Sequence, residues 1–316
     1  QALLSYQSVI ADAVLSIEIA YYNVLADGEQ VVVQEASLEL LNHQLADTRN
    51  RVDAGTLPQF NVLRAEVEVA NARPRLIRAR SAFRIARQNL VNALGYSVPR
   101  EVLEDVPLIL TDKLVATQYE VDLPSAIAQS LQNRTELAVL RKAKELRSEQ
   151  VKLAKSGYKP SVQLFAGYGA RNSTFINDIT RDVYGWNAGA LASWNIFDGF
   201  ATKGRIVQAR ALSERTDIEL DDTSRRIELE VRTAYSSFIE ARELLESQKK
   251  VGEQAAEALR LAEDRYGAGS GTQLDVLSAQ TALTEARSTQ IQALHDYSVA
   301  RARVQRAIGT PFSSSK

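Results

Sequence analysis

The stretch RYGAGSGTQLDVL, residues 265–277, sets Gly267, Gly269 and Gly271 within five residues and carries an acid, Asp275, in the apolar run that follows. A glycine loop cradles phosphate when it follows a strand and leads into Lys-Ser or Lys-Thr. These glycines follow a helical pattern and no such pair comes after them, so a P-loop is excluded. Thr272 and Asp275 have the spacing of a capping box, which puts a carboxylate at the positive end of a helix. His43 and His295 are the two histidines; each lies alone in a helical pattern and is read as a packing or surface residue. There is no cysteine, which excludes disulfides, zinc–thiolate sites and cysteine nucleophiles from this chain. Paired-carboxylate, histidine and metal-ligand constellations are missing, so the chain is not read as an enzyme. No catalytic residue, metal or cofactor is expected.

The 316 residues are 45% hydrophobic with a formal net charge of −1. That suffices for one large domain or two ordinary ones. It gives no basic surplus for phosphate, so nucleic acid is not an expected partner. No run of 18 or more apolar residues occurs, and no membrane-spanning helix is expected. The sequence starts at Gln1, holds no methionine and has no basic-then-apolar leader, which reads as a mature or truncated product.

The chain repeats itself. RVDAG (51–55) returns as RYGAG (265–269), Val62-Leu63 as Val276-Leu277, Ala20-Tyr21 as Ala234-Tyr235, and Gly95 as Gly309, all at one offset of 214. Each copy opens with a heptad-like stripe, such as Val231, Ala234, Phe238, Ala241 and Leu245. After the glycines comes an alanine-rich stripe: Ala65, Val69, Ala72, Leu76 and Phe83 in one copy, Ala279, Leu283, Ala286, Ala293 and Tyr297 in the other. Small residues along a seam let helix axes approach, so each copy is predicted to be a tight antiparallel helical hairpin. Pro58 stands where the second copy has Thr272 and suits a first helical turn. Pro74 is predicted to kink its helix. The arginines at 73, 75, 78, 80, 84 and 87 read as a solvated face.

Residues 98–124 hold Pro99, Pro107 and Pro124 and read as a connector; 125–156 read as one helix closed by Gly157. PSVQLFAGYGAR (160–171) and VYGWNAGALASWNIF (183–197) alternate with period two around a polar loop at 172–182, which predicts a β-hairpin. Each strand has the ~9–11 residues that a tilted strand needs to cross a bilayer. Tyr184, Trp186 and Trp194 share one face, the two tryptophans near opposite ends, like an aromatic girdle; a soluble amphipathic hairpin would carry the same alternation. The helix predicted over 200–264 would be on the order of 100 Å long, and the return helix at 272–308 about 55 Å. Such a rod suits a conduit better than a globular domain.

The order of strand hairpin, Phe-Asp-Gly (197–199), long helix, R-Y-x-x-G-x-x-T-x-x-D-V-L (265–277) and alanine-rich return helix resembles the TolC-like outer-membrane channels of efflux pumps and type I secretion. The resemblance covers nearly all of the chain. It implies a mainly α fold with a β-hairpin: antiparallel coiled-coil hairpins plus transmembrane strands of a trimeric α-barrel/β-barrel. The segments would be a first helical hairpin (1–97), an equatorial connector (98–124), a helix leading to the barrel (125–157), a transmembrane β-hairpin (158–199) and a second helical hairpin (200–316). By the 214 offset, a first β-hairpin would precede residue 1. The resemblance further implies a passive conduit in the outer membrane of a Gram-negative bacterium, extending into the periplasm. Its partners would be two further copies, outer-membrane lipid, a periplasmic adaptor and an inner-membrane transporter of RND, ABC or MFS type. Asp275, Asn61 and Tyr266 would line a pore gate, and Gly55, Thr56, Gly269, Ser270, Gly271 and Thr272 would meet the adaptor. The family's pattern allows a base at Gly271 and a second acid at Ser278; this sequence has neither. A periplasmic adaptor or a soluble coiled-coil protein are the alternatives. Adaptors carry one hairpin between β-rich segments, unlike the two hairpins here, and a soluble coil would not need strands of membrane length.

Overall fold

A computed structural model describes residues 2–96, 106, 108, 110–171 and 183–309, without the side chains of 170, 171, 183 and 184. Most of the predicted connector, the loop at 172–182 and the Tyr184 side chain lie outside the described residues. The elements are α1 (Ala2–Asp53), α2 (Phe60–Ala93), α3 (Leu123–Asn133), α4 (Thr135–Ser156), β1 (Ser161–Arg171), β2 (Val183–Ser193), α5 (Ala201–Gly267) and α6 (Gln273–Ile308). The chain divides into two units. One holds residues 2–135 and 225–309; the other holds 136–224.

In the first unit the duplication is legible in the backbone. α1 ends at Asp53 and α5 at Gly267, 214 residues on. Gly55 and Gly269 both have φ +73°, and Gly95 and Gly309 have φ +75° and +73°. The alanine-rich stripes are buried against their partner helices. Val69, Ala72 and Leu41 form one cluster, and Val24, Ala86 and Leu90 another. In the second copy Val231, Phe238, Ala241, Tyr297, Ala300 and Val304 pack together, with Phe238 1% exposed.

Charge sorts the first hairpin as well. α1 carries eight acids and two bases, whereas α2 carries two acids and seven bases. Arg49–Glu66 and Arg80–Glu35, each 2.7 Å, join them. The predicted solvated arginine face is thus partly recruited. Arg80 pairs, and Arg87 donates to the carbonyls of Val106 and Leu108, while Arg73, Arg75 and Arg84 stay exposed. α2 continues through Pro74 as one element.

Two expectations change. The single helix predicted at 125–156 is broken. α3 starts at Leu123, its first turn takes in Pro124, and Asp122 caps it by accepting from Ser125 N at 3.1 Å. Arg134 then turns extended (φ −63°, ψ 121°) and is 6% exposed. Its guanidinium donates to Glu230 Oε1 at 2.9 Å and Oε2 at 3.0 Å, and lies 3.5 and 3.4 Å from the carbonyls of Arg306 and Ala307 at the end of α6. A cation at a helix C-terminus meets the negative end of its dipole, so helix continuity at 134 is exchanged for closing another helix. Second, α1 has an 18-residue window of mean hydropathy 1.5, so by length and composition it could cross a membrane, contrary to the sequence expectation. Part of its apolar surface is nevertheless committed to helix packing: Val24 and Leu41 face α2, and Leu25 packs with Leu114.

In the second unit, β1 and β2 pair antiparallel over their full 11 residues. The predicted faces meet: Val162 opposes Ala192, Leu164 opposes Ala190, Ala166 opposes Ala188, and Tyr168 opposes Trp186 with ring centroids 5.3 Å apart. This face is strongly exposed, with Leu164 at 78% and Trp186 at 82%. On the other face Phe165 lies over Gly189, where a Cβ would come within 2.6 Å of the ring. Trp194 is not on the strand, as β2 stops at Ser193. Its indole instead donates to the carbonyl of Tyr158 at 3.2 Å, which fixes it below the hairpin's open end. Asp198 then accepts from Thr202 N at 2.7 Å and starts α5.

Candidate functional site: the paired helical turns

The two turns are built alike. Gly55 N bonds to Val52 O at 2.9 Å and Thr56 N to Arg51 O at 2.9 Å; Gly269 N bonds to Tyr266 O at 3.1 Å and Ser270 N to Arg265 O at 2.9 Å. This is the Schellman pattern, which satisfies the last carbonyls of a helix and requires a left-handed residue, hence glycine. The Thr56 and Ser270 hydroxyls add a bond to the same carbonyls, at 2.8 and 3.2 Å. The second turn is tighter, because Gly271 N also reaches Arg265 O at 2.9 Å. A Cβ on Gly271 would lie 3.0 Å from Tyr266 N, so the turn as built here favours glycine over a basic side chain.

Thr272 caps α6 as its spacing predicts. Asp275 N donates to Thr272 Oγ1 at 3.2 Å, and Thr272 N donates back to Asp275 Oδ2 at 2.9 Å. The bond from Thr272 N and a second from the Thr272 hydroxyl to Oδ2 at 2.8 Å, with a smaller attraction to Arg265, hold the exposed Asp275 carboxyl below the usual carboxylate range. It is therefore anionic at any physiological pH. In the first turn Asn61 takes the corresponding place, its N–H bonded to Pro58 O at 3.0 Å, and Gln59 offers no side-chain cap.

The turns are also tied together. Arg51 stacks over the Tyr266 ring at 4.9 Å, and Gln273 Nε2 donates to the buried Thr48 hydroxyl at 3.0 Å. Tyr266 is partly buried against the cluster of Leu259, Val276 and Leu283. Arg51, Thr48 and Gln273 were not singled out from sequence. The signal available was the repeat itself, since Arg51 and Arg265 occupy equivalent places.

Above the turns, α1 and α6 run antiparallel, joined by side-chain hydrogen bonds. Ser37 faces Thr284 (3.1 Å), Gln30 faces Ser288 (2.9 Å), Asn23 faces His295 Nε2 (2.7 Å) and Tyr22 faces Arg301 (2.9 Å). Asp27 lies near His295, and burial pushes its carboxyl above the ordinary range while the imidazole opposes that shift. A carboxyl raised on folding lends stability as pH falls through its folded value and costs stability when ionised. Asp27→Asn is therefore expected to stabilise the protein at pH 7.5, by less than about 1 kcal/mol because the group keeps contact with water. That gain should vanish toward pH 4 in thermal unfolding.

Solved structures of outer-membrane proteins superpose on this chain. The Campylobacter jejuni CmeC outer membrane channel does so with a TM-score of 0.78 at 14% identity, covering 99% of this chain and 66% of that one. The Vibrio cholerae outer membrane protein VceC gives 0.73 at 20%, covering 96% and 71%. These likenesses establish the fold, long helical hairpins joined to a pair of β-strands. The outer membrane efflux protein family matches residues 1–96 and 126–310, and the chain belongs to it. Outer membrane protein TolC of Escherichia coli is 22% identical, over 97% of this chain and 63% of its own length. Alkaline protease secretion protein AprF of Pseudomonas aeruginosa is 24% identical, over 96% and 63%. The chain thus spans just under two thirds of these two relatives.

Proposed function

We propose that the protein forms the outer-membrane exit duct of a tripartite efflux pump or type I secretion system, as a passive conduit in a Gram-negative envelope. The observation that carries this reading is the combination within one chain of an 11-residue paired hairpin, apolar and exposed on one face, with two long helical hairpins ending in matched turns. Strands of that length suit a tilted bilayer crossing, and Trp186 and Trp194 suit its two interfaces. Long helical hairpins suit a tunnel through the periplasm. Three copies would assemble, with a periplasmic adaptor and an inner-membrane transporter as further partners. Gly55, Thr56, Gly269, Ser270, Gly271 and Thr272 would face the adaptor. Asp275 would form an anionic ring at the entrance, with Asn61 and Tyr266 beside it; such a ring favours cations. The same carboxylate starts α6, so cap and gate charge are one group.

Single-channel recording in planar bilayers, on protein purified from outer membranes, tests this. The wild type should conduct with cation preference, and Asp275→Ala should lower that preference severalfold without closing the pore. Absence of any conductance sinks the duct; unchanged selectivity removes Asp275 from the gate.

A further inference from the structure

The segment that joins the hairpin to α5 turns its apolar side chains outward. Ile196 is 86% exposed, Phe197 77% and Phe200 69%, with Tyr158 and Trp194 exposed beside them. Gly199 and Phe200 hold successive left-handed conformations, φ +65° and +67°. A bulky residue rarely adopts that conformation, and it persists only where the surroundings fix the turn. Here Asp198 fixes it by accepting from Thr202 N, and the Phe197 and Phe200 rings stand edge-on at 5.8 Å.

Four bases gather at the same level. Gly157 lies against Thr202, where a Cβ would come within 2.8 Å of the Thr202 hydroxyl. That approach sets the end of α4, with Lys155 and Lys159, beside the start of α5, with Lys203 and Arg205; all four are exposed. The Lys203 ammonium sits 6.0 Å from the centroid of the Phe200 ring. Within 153–160 and 194–206 the one acid is Asp198, which is committed to starting α5 and lies 3.9 Å from Arg205. Farther from the strands charges are matched, as in Lys144–Asp217 (2.9 Å), Lys152–Glu149 (2.6 Å) and Arg215–Glu219 (2.8 Å). Unbalanced positive charge thus gathers where the aromatic rings are exposed.

We propose that Lys155, Lys159, Lys203 and Arg205 form a collar that binds the headgroups of anionic glycerophospholipids, in the leaflet on the helical side of the hairpin. Basic residues near a bilayer surface attract anionic lipid, and aromatic rings settle at headgroup level. The occupant is lipid because the collar continues the exposed apolar face that Leu164, Tyr168 and Trp186 present on the strands. Rings beside long basic stems also match a zone where phosphate and acyl carbon adjoin. The left-handed turn then has a use: it sets both phenylalanine rings toward the acyl chains while Lys203 stays with the phosphates. This rests on the proposed membrane crossing of the hairpin, and adds the class of lipid and the residues that select it.

Trp194 lies at the collar and reports on it. The full-length protein is reconstituted in phosphatidylcholine vesicles in which a fraction of the lipid is brominated phosphatidylglycerol or brominated phosphatidylcholine, and tryptophan quenching measures which lipid adjoins the ring. The Trp194 signal is the difference between Trp186→Phe and Trp186→Phe/Trp194→Phe; the Trp186 signal is the difference between Trp194→Phe and the same double variant. At Trp194 phosphatidylglycerol should be favoured over phosphatidylcholine about threefold or more. The preference should fall toward one in about 0.5 M salt, an arm that needs no change to the collar. It should fall likewise in Lys155→Gln/Lys159→Gln/Lys203→Gln/Arg205→Gln and survive in Lys155→Arg/Lys159→Arg/Lys203→Arg, which keeps the charge. Equal association of the two lipids with the intact collar, or a preference that the glutamine variant retains, overturns the proposal. So does a Trp194 that neither lipid quenches, because protein then covers the collar. Trp186 separates the two readings. Quenching there with no headgroup preference at Trp194 refutes the collar and leaves the membrane crossing standing, whereas quenching at neither tryptophan refutes both.

Discussion

Arg134→Met is expected to destabilise the helical unit by about 3 kcal/mol, the scale of removing one partner from a buried ion pair. Arg134 is 6% exposed and its fork meets both Glu230 oxygens, while the Glu230 side chain is 45% exposed. Partial hydration of the stranded carboxylate keeps the cost toward the low end of that range. The α6 carbonyls at Arg306 and Ala307 lose their cation at the same time. Arg134→Lys should recover only part of the loss, since an ammonium lacks the planar fork. Urea unfolding followed by circular dichroism measures both, and Glu230→Gln should cost less than Arg134→Met.

Phe238→Ala should cost about 3–5 kcal/mol, the range for emptying a buried aromatic site. Phe238 is 1% exposed and sits between two aromatic rings, Tyr119 at 5.8 Å edge-on and Tyr297 at 5.4 Å. Tyr119 belongs to the connector and Tyr297 to α6, so the void would loosen three segments. The Tyr297 hydroxyl is anchored on Thr117 O at 2.8 Å, which limits how far that ring can follow into the space. Phe238→Leu should cost less than half as much, and the ratio of the two in the same denaturation series reports how far the site collapses.

The hairpins were readable because their signals are local. Glycine at 55 and 269 marks a left-handed turn by backbone sterics, and Thr272 with Asp275 marks a helix start by spacing. Which strand residues share a face followed from period-two alternation, since a one-residue slip would invert it, whereas the pairing itself is seen only in the structure. Arg134 escaped because its reason lies at Glu230, 96 residues away. Trp194 escaped because alternation continues past the last ladder bond, and the indole then finds a carbonyl instead. The face of α6 toward α1 also escaped. Its Gln273, Gln280 and Thr284 are buried polar residues bonded to α1, so a search for apolar stripes reads that face as water-facing. At the turns, positions were legible from the repeat, whereas the Arg51–Tyr266 stack joins separate copies and no periodicity within either one encodes it.

The polar pairs of the α1–α6 joint, which alternate with apolar contacts such as Leu41–Leu277, also bear on the order of synthesis. The first hairpin is complete at Ala93, but α6 ends at Ile308. At a ribosomal pace of ~5–20 residues per second, α1 exists for some ten seconds or more before its second neighbour is made. A seam of leucines waiting that long would invite wrong associations. Gln30, Gln34, Ser37 and Thr48 can wait in water at little cost and exchange those water bonds for Ser288, Thr284 and Gln273 when α6 arrives.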